Sequence, residues 1–257
     1  MKKVLAFDID QTLNIAKTPI PDEIADLLTE LLGSYEICPI SGQKFDQFLI
    51  QIVNRLTKAS PEKLSHLHLF VAQGTQYYCY NLATSEWDQV YNYPLTPEQV
   101  AKISATIEQS ARELGYWEAD KLADGDEIIE NRLSQVTFSA LGQHAGTEAK
   151  YAWDPDCKKR EQIVARCKEL APEFDYEIGG TTSINAITPG MNKKFGMTHL
   201  LEELQVQPDE VLYFGDMTQP GGNDYPVVQM GIDTITVRSH EDTAYALRGI
   251  AAVTAKS

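Results

Sequence analysis

Two short apolar segments of the sequence each end in aspartates. Asp8 and Asp10 lie two residues apart in FDIDQTL, directly after the run VLAF. Asp216 closes the run VLYFGD, and the loop GGND at residues 221–224 follows it. In parallel sheets, ligands bind just beyond the carboxyl ends of the strands. The two segments therefore predict a crevice lined by carboxylates.

Carboxylates that share a crevice repel one another unless a cation or a shared proton lies between them. Hard divalent cations bind oxygen, and Mg²⁺ takes one or two protein carboxylates together with phosphate and water. Asp8 and Asp216 fit that requirement. In the pair Asp8 and Asp10, one carboxylate can bind metal and attack phosphorus, while the other exchanges a proton with the leaving group. The spacing therefore predicts magnesium-dependent phosphoryl transfer.

Each aspartate motif alone has a simpler interpretation. The pair in FDIDQTL could form a solvated turn at a strand end, and GGND could form a capped glycine-rich turn. Two such motifs at strand ends of one chain are far less common. A calcium-binding loop is excluded, because Leu13 and Pro19 stand where that loop needs glycine and glutamate.

A phosphate near several carboxylates also needs hydrogen-bond donors and positive charge. Ser41, which precedes Gly42 at the end of an apolar run, offers a hydroxyl and a helix N-terminus. Lys193 offers a cation at the start of a later helix, and the motif spacing favours it over Lys194. The sequence thus adds Ser41, Gly42 and Lys193 to the candidate site.

Strands and helices alternate around these motifs. Apolar runs at residues 4–9, 35–41 and 66–74 indicate buried strands. Apolar residues at helical spacing over 21–33 and 45–56 predict amphipathic helices. This alternation predicts an α/β fold, a doubly wound, Rossmann-like parallel sheet with helices on both faces.

The pattern changes from about Asn81. Short alternating strands and two helices, at Pro97–Leu114 and about Asp156–Leu170, predict an inserted α+β domain with an antiparallel sheet. After Pro189 the α/β pattern returns. We therefore expect a first part of the core domain, an inserted domain and a second part of the core, at residues 1–81, 82–187 and 188–257.

Composition narrows the choice of partners. The net charge of −15 argues against nucleic acid and anionic membranes as partners. Asp8 and Asp10 interrupt the apolar run near the N-terminus, which argues against a signal peptide, and no apolar stretch is long enough to span a bilayer. We expect a cytoplasmic protein with a small phosphorylated substrate and four free thiols. The sequence leaves the oligomeric state open, a homodimer included.

The order of these motifs resembles the haloacid dehalogenase superfamily. That family shows DxDxT, then Ser-Gly after the second strand, then a lysine, then GD with ND, and its type-II cap (IIB) lies between the serine and the lysine. More narrowly, the chain resembles eukaryotic-type phosphomannomutases over nearly its whole length. The best-matching stretches are EIGGTTSINAITPGMNKK, GDMTQPGGND and EDT. The resemblance implies a phosphorylated aspartate and Mg²⁺ as cofactor.

The resemblance also implies roles for individual residues. Asp8 corresponds to the nucleophile and Asp10 to the general acid and base. Asp8, the backbone carbonyl of Asp10 and Asp216 correspond to the magnesium ligands. Phosphate-binding or supporting roles fall on Ser41, Gly42, Lys193 and Asn223. The predicted substrate-binding positions in the inserted domain are Arg132, Lys150, Ser183 and Asn185.

The sequence departs from the family pattern at several positions. Gln11 replaces a glycine after the second aspartate, and Asn185 replaces an aspartate of the cap. Arginines of the family are Lys17, Gln143 and Lys150 here. Lysine keeps the charge but loses the bidentate fork, and glutamine loses both.

Three functions remain open. A phosphatase lets water attack the phosphorylated aspartate, whereas a mutase holds a sugar bisphosphate and returns the phosphoryl group to its other hydroxyl. Because the arginines that would grip the distal phosphate are partly replaced, the sequence favours a sugar-phosphate phosphatase over a hexose-phosphate mutase. A silent sugar-phosphate-binding regulator is disfavoured, since Asp8, Asp10 and Lys193 are all present.

Overall fold

The computed structural model describes residues 1–15 and 18–254. Lys17, one of the positions that departs from the family pattern, lies outside the described residues. The chain forms two compact units. The core unit comprises Met1–Asn92 and Asn192–Ser257, and the inserted unit comprises Tyr93–Met191.

The core unit contains a parallel four-stranded sheet in the order β11-β10-β1-β2. Its strands are β1 (Val4–Phe7), β2 (Glu36–Pro39), β10 (Val211–Gly215) and β11 (Asp233–Thr236). β1 is central, with Phe7 opposite both Pro39 and Phe214. The carboxyl ends of β1 and β10 therefore meet at one edge of the sheet, and Asp8 and Asp216 directly follow those ends.

Helices cover both faces of this sheet. They are α1 (Asp22–Leu31), α2 (Phe45–Gln51), α3 (Pro61–Leu64), α7 (Lys193–Glu203), α8 (Tyr225–Val228) and α9 (His240–Thr254). Leu5 and Phe7 of β1 belong to one apolar cluster with α1, α2 and α9, whereas Val4 and Ala6 belong to another with α7. Alternate side chains of a strand point to opposite faces. The predicted doubly wound fold is confirmed.

A second, antiparallel sheet belongs to the core unit. It has the order β3-β4-β5, formed by β3 (His68–Val71), β4 (Gln76–Asn81) and β5 (Glu86–Asn92). Bridges from Ile37 to Leu67 and from Ile40 to Phe70 connect β2 to the β3 segment. The core unit therefore continues to Asn92, whereas the sequence placed the boundary after residue 81. The reason is the pairing of β5 with β4.

The inserted unit is an antiparallel sheet with helices packed on one face. The sheet has the order β6-β7-β9-β8, with β6 (Ile129–Asn131), β7 (Gln135–Ser139), β8 (Asp175–Gly179) and β9 (Ser183–Ile187). The helices are α4 (Pro97–Glu113), α5 (Thr147–Trp153) and α6 (Lys158–Leu170). Val136 and Phe138 share an apolar cluster with Ile103 of α4 and Ile163 of α6. The other face of β7, at residues 135, 137 and 139, is polar.

Two further properties bear on the expectations from composition. None of the helices in the described part of the chain is long and apolar enough to cross a membrane. The four cysteines are free thiols, as their spacing predicts.

Candidate active site

Asp8 lies at the centre of the candidate site, directly after β1. Its N–H donates to the Phe214 carbonyl at 2.9 Å, which fixes the residue against β10. The residue is only 4% exposed, and its Oδ1 accepts a hydrogen bond from Lys193 Nζ. Its Oδ2 accepts no hydrogen bond within the described residues. One carboxylate oxygen is thus held by a cation, and the other is left for a metal ion or for phosphorus.

Lys193 is the first residue of α7, whose N-cap Asn192 accepts from the Lys194 N–H. The Lys193 side chain is fully buried, whereas Lys194 is exposed. Lys193 Nζ donates to Asp8, and to Asp224 Oδ1 at 2.6 Å. Burial disfavours the ammonium, but the charges of Asp224 and Asp8 outweigh it and raise the pKa of Lys193. This geometry supports Lys193 over Lys194 as the site lysine.

Asp224 is a site residue that sequence reasoning did not assign. It is fully buried; its Oδ1 accepts from the Tyr213 hydroxyl at 2.6 Å as well as from Lys193, and its Oδ2 accepts from the Met217 N–H at 3.0 Å. A Cβ at Gly215 would lie 2.5 Å from Asp224 Oδ2, so the carboxylate needs glycine there. The signal in the sequence was the aspartate of GGND together with the tyrosine of VLYFGD.

Asp8, Asp216 and Asp224 form a carboxylate cluster around Lys193, in which carboxylates outnumber cations. One oxygen each of Asp8, Asp216 and Asp224 lies within 4.8 Å of the others. Burial, opposed by the charge of Lys193, raises the pKa of Asp8 well above its usual range, and Asp224 adds repulsion. Burial and the charge of Asp224 raise the pKa of Asp216 to about 6. The cluster is therefore short of positive charge.

A hard divalent cation fits this donor set, because every candidate ligand atom is a carboxylate oxygen. Asp224 already accepts three hydrogen bonds, from Lys193, Tyr213 and Met217. Asp8 and Asp216 are therefore the side chains best placed to hold Mg²⁺. The ligand role of the Asp10 backbone carbonyl stays a prediction.

Asp10 lies in the turn that follows β1. Its Oδ2 accepts a hydrogen bond from Gln43 Nε2 at 3.0 Å. The next residue, Gln11, has a φ of 64°, in the left-handed region that glycine adopts most easily. The glycine of the related motif suits this conformation, and a non-glycine residue there costs of order 1–3 kcal/mol. The turn is nevertheless closed by a bond from the Gln11 N–H to the Asn14 carbonyl at 3.0 Å.

The segment with Ser41 and Gly42 follows β2 at the same edge of the sheet. The Ile40 N–H donates to the Phe7 carbonyl at 2.8 Å, so Ser41 follows β2 as Asp8 follows β1. Ser41 is buried, and its carbonyl accepts from the Gln73 N–H at 2.9 Å. Gly42 occupies the turn between Ser41 and the start of α2. The structure fixes these backbones, and their phosphate-binding role stays a prediction.

Asn223 lies in the loop between β10 and α8, next to Asp224. Its Oδ1 is buried and has no hydrogen-bond partner among the described residues. The loop closes on itself through a bond from the Asp224 N–H to the Met217 carbonyl at 3.1 Å. Asn223 thus lies beside the anchor of Lys193, and its supporting role stays a prediction.

A close approach of two backbones connects α7 to the turn that contacts Ser41. A Cβ on Gly196 of α7 would lie 2.7 Å from the Gln73 carbonyl oxygen and 2.8 Å from Gly74 Cα. Glycine inside a helix lowers helix stability. Here it permits a backbone contact between α7, which carries Lys193, and the turn whose Gln73 N–H donates to the Ser41 carbonyl.

Two of the predicted substrate residues of the inserted unit, Arg132 and Ser183, belong to one network of polar side chains. Arg132, which is 8% exposed, donates to Glu130 Oε2, at 2.6 Å from Nη2. Gln143 Nε2 donates to Glu130 at 3.0 Å and to Ser139 Oγ at 3.1 Å. Ser139 lies 3.3 Å from Ser183 Oγ. Arg132 and Ser183 are therefore connected through Glu130, Gln143 and Ser139.

Of the two other predicted residues, Lys150 joins this network, and Asn185 bonds to neighbouring side chains of β7. Lys150 is buried, and its Nζ donates to the Gln143 carbonyl at 2.6 Å. Asn185 Oδ1 accepts from Thr137 Oγ1 at 2.9 Å and from Gln135 Nε2 at 3.4 Å. Sequence reasoning missed Glu130, Gln135, Thr137 and Ser139, although the alternation of polar residues along β7 could have revealed three of them.

Solved structures resemble the chain in fold. The IMP-bound, N-terminally truncated IMP-nucleotidase of Plasmodium falciparum superposes with a TM-score of 0.66 at 15% identity, covering 97% of this chain and 68% of that one. A haloacid dehalogenase-like hydrolase from Bacteroides thetaiotaomicron gives 0.62 at 15% identity, covering 97% and 100%. The fold and its motif residues together define an enzyme of the haloacid dehalogenase superfamily.

Sequence relatives identify the family within this superfamily. The Saccharomyces cerevisiae phosphomannomutase is 25% identical over 95% of this chain and 92% of its own length. The phosphomannomutase of Encephalitozoon cuniculi is 23% identical over 94% and 91%. The family model for eukaryotic phosphomannomutase matches residues 122–253. The chain belongs to the eukaryotic phosphomannomutase family.

Proposed function

We propose that this protein is a magnesium-dependent hexose-phosphate mutase. It moves a phosphoryl group between the 1- and 6-hydroxyls of a hexose such as mannose, through a phosphorylated Asp8. The family match over residues 122–253 carries this proposal. The mutase therefore takes the place of the phosphatase that the sequence favoured, because the matched stretch includes both the polar network and Lys193 with Asp216.

Asp8 acts as the nucleophile. A carboxylate oxygen of Asp8 forms a bond to phosphorus while the bond from phosphorus to the sugar oxygen breaks. Its Oδ1 is oriented by Lys193, which limits the rotation of the carboxylate. The same ammonium neutralises charge beside the phosphoryl group, the kind of electrostatic assistance that such transfers depend on.

Asp10 handles the proton. It gives a proton to the sugar oxygen that leaves, and then takes one from the sugar hydroxyl that receives the phosphoryl group. In a mutase the two oxygens belong to one hexose, so the proton donor is regenerated in each cycle. Asp10 is partly exposed and hydrogen-bonded to Gln43, which allows contact with substrate.

Asp8 and Asp216 would hold the metal ion. A bound Mg²⁺ would supply the positive charge that the carboxylate cluster lacks, so that the carboxylates are ionised while a phosphate approaches. Ser41 and Asn223 are then hydrogen-bonding groups for the phosphate. Arg132, Lys150, Ser183 and Asn185 bind the rest of the sugar phosphate.

The test gives the chain mannose 1-phosphate with Mg²⁺ and a catalytic amount of the hexose 1,6-bisphosphate. We expect hexose 6-phosphate to form only when the bisphosphate is present, with little free phosphate. EDTA and the Asp8→Asn substitution should both abolish the conversion. Stoichiometric release of phosphate with little 6-phosphate would contradict the mutase.

That contrary outcome is the second candidate, a sugar-phosphate phosphatase. The observation that favours it is the charge of the polar network. Arg132 is paired with Glu130, and position 143 is a neutral amide. A weaker hold on a distal phosphate would let the intermediate leave before it reorients, and water would then take the phosphoryl group.

A further inference from the structure

Gln43 contacts the side chain that handles the proton. It lies two residues after Ser41, is 4% exposed, and its Nε2 donates to Asp10 Oδ2 at 3.0 Å. We propose that Gln43 is a positioning residue, which holds the Asp10 carboxylate where it can exchange a proton with the oxygen that leaves phosphorus. This inference rests on the proposed function, because it assigns Asp10 the proton transfer.

The backbone of Gln43 is held by hydrogen bonds that do not involve Asp10. Its carbonyl accepts from the Ala72 N–H at 3.1 Å, and the Ser41 carbonyl accepts from the Gln73 N–H at 2.9 Å. Ala72 and Gln73 have φ angles of 49° and 63°, which non-glycine residues rarely adopt. Such backbones persist where the surrounding structure enforces them, and they concentrate at functional sites. The Gln43 side chain therefore extends toward Asp10 from a fixed point.

The far end of the amide shows that stability alone does not account for Gln43. Its Oε1 is buried and has no hydrogen-bond partner in the part of the chain that the structure describes. A buried acceptor without a partner lowers the stability of a fold, and an apolar side chain of similar length would avoid that loss. The hydrogen bond that the Gln43 side chain does make is the one from Nε2 to Asp10.

An amide also suits a partner that gains and loses a proton. Its N–H₂ group donates to an ionised carboxylate, and its oxygen can accept from a protonated one after rotation about the last side-chain bond. A lysine at this position could serve only the ionised form. Gln43 can therefore hold Asp10 throughout the cycle.

The test compares Gln43→Met with Gln47→Met. Gln47 is a glutamine of α2 whose described side-chain partner is Gln51, so it controls for the loss of an amide in the same segment. With mannose 1-phosphate, we expect Gln43→Met to lower kcat by about 10²-fold, the scale for a misplaced catalytic group, with KM little changed. With p-nitrophenyl phosphate, whose leaving group needs no proton, the rate at which p-nitrophenolate is released in the first turnover should hardly change. The melting temperature should stay the same or rise.

Several results would overturn the inference. Equal losses on both substrates, or a lower melting temperature, would show that Gln43 is merely structural. An unchanged kcat with mannose 1-phosphate would show that Asp10 does not depend on it.

Crystal structures of the wild-type and Gln43→Met chains decide the inference even if the proposed function fails. A wild-type chain that acts on no phosphate ester would refute that function. A displaced Asp10 carboxylate in the variant would still support the positioning role of Gln43, and an unmoved carboxylate would refute it.

Discussion

The core unit and the inserted unit each bury a cation beside carboxylates, but with different balances of charge. In the core unit Lys193 contacts Asp8 and Asp224, and Asp216 belongs to the same cluster. In the inserted unit Arg132 pairs with Glu130. The first cluster has more carboxylates than cations, whereas the pair Arg132 and Glu130 is balanced in charge.

Under the proposed function, this difference would let the two units bind different parts of a sugar phosphate. A deficit of positive charge attracts a divalent cation and, through it, a phosphoryl group. A neutral row of hydroxyl and amide groups, such as Ser139, Ser183 and Asn185, both donates and accepts hydrogen bonds, as sugar hydroxyls require. Under the proposed function, reaction and recognition would therefore depend on groups with different electrostatics.

The largest expected effect comes from removing each cation in turn. Lys193→Met leaves Asp8 and Asp224 buried without their shared partner. In EDTA it should lower the free energy of unfolding by about 3–5 kcal/mol. With Mg²⁺ present it should abolish turnover. Arg132→Met leaves Glu130 bonded to Gln143, so its loss should be smaller, about 1–3 kcal/mol. Urea denaturation of both variants measures the difference, and equal losses would contradict the comparison.

A smaller effect is expected from making the inserted unit cationic. Gln143→Arg adds a charge beside Glu130 and Ser139, where it can bind a second phosphate. We expect a KM for the hexose 1,6-bisphosphate that is about 10-fold lower, the scale of a hydrogen bond to a charged group. Gln109→Arg adds the same charge at an exposed site on α4 and should change nothing. An equal response to the two substitutions would mean that only net charge matters.

The smallest expected effect is a change of stability with pH, caused by the excess of carboxylates in the core unit. In the metal-free chain the pKa of Asp216 is about 6, above the ordinary value of 3.8, because of burial and the charge of Asp224. The folded chain therefore binds this proton more tightly than the unfolded chain does, and the stability it contributes is lost as pH rises toward and through 6. Asp216→Asn has no such proton to lose.

The measurement is the melting temperature in EDTA between pH 5 and pH 7. The wild type should lose stability relative to Asp216→Asn across that range, by a few degrees for each kcal/mol. Mg²⁺ should reverse the trend, since it binds the ionised carboxylate. A constant difference between the two chains would show that Asp216 is not in the charge-deficient cluster.

The sequence predicted the parts of the fold that depend on periodicity. The alternation of strands and helices placed β1, β2 and β10 with their aspartates and serine at one sheet edge. It misplaced the first boundary of the inserted unit, because β5 is exposed and polar, and only its pairing with β4 shows where it belongs. Local pattern cannot reveal such a pairing.

In the candidate site, too, the sequence predicted some features and could not predict others. Asp8, Asp10 and Lys193 stand in motifs with a recognisable spacing. The anchoring of Lys193 by Asp224, and the contact of Gln43 with Asp10, depend on side chains that meet only after folding. Likewise, Arg132 could be singled out from the sequence, whereas its neutralisation by Glu130 could not, because a salt bridge is a matter of side-chain geometry.

The central position of β1 has a consequence for synthesis on the ribosome. Val4–Phe7 pairs on one side with β2, but on the other side with β10, roughly 200 residues later. At about 5–20 residues per second, that partner follows after some 10–40 s. During this interval β1 is an open edge, able to pair with a foreign strand. The nascent chain is therefore exposed to aggregation until its last quarter is made. Chaperone binding would be most useful during this interval, before β10 is available.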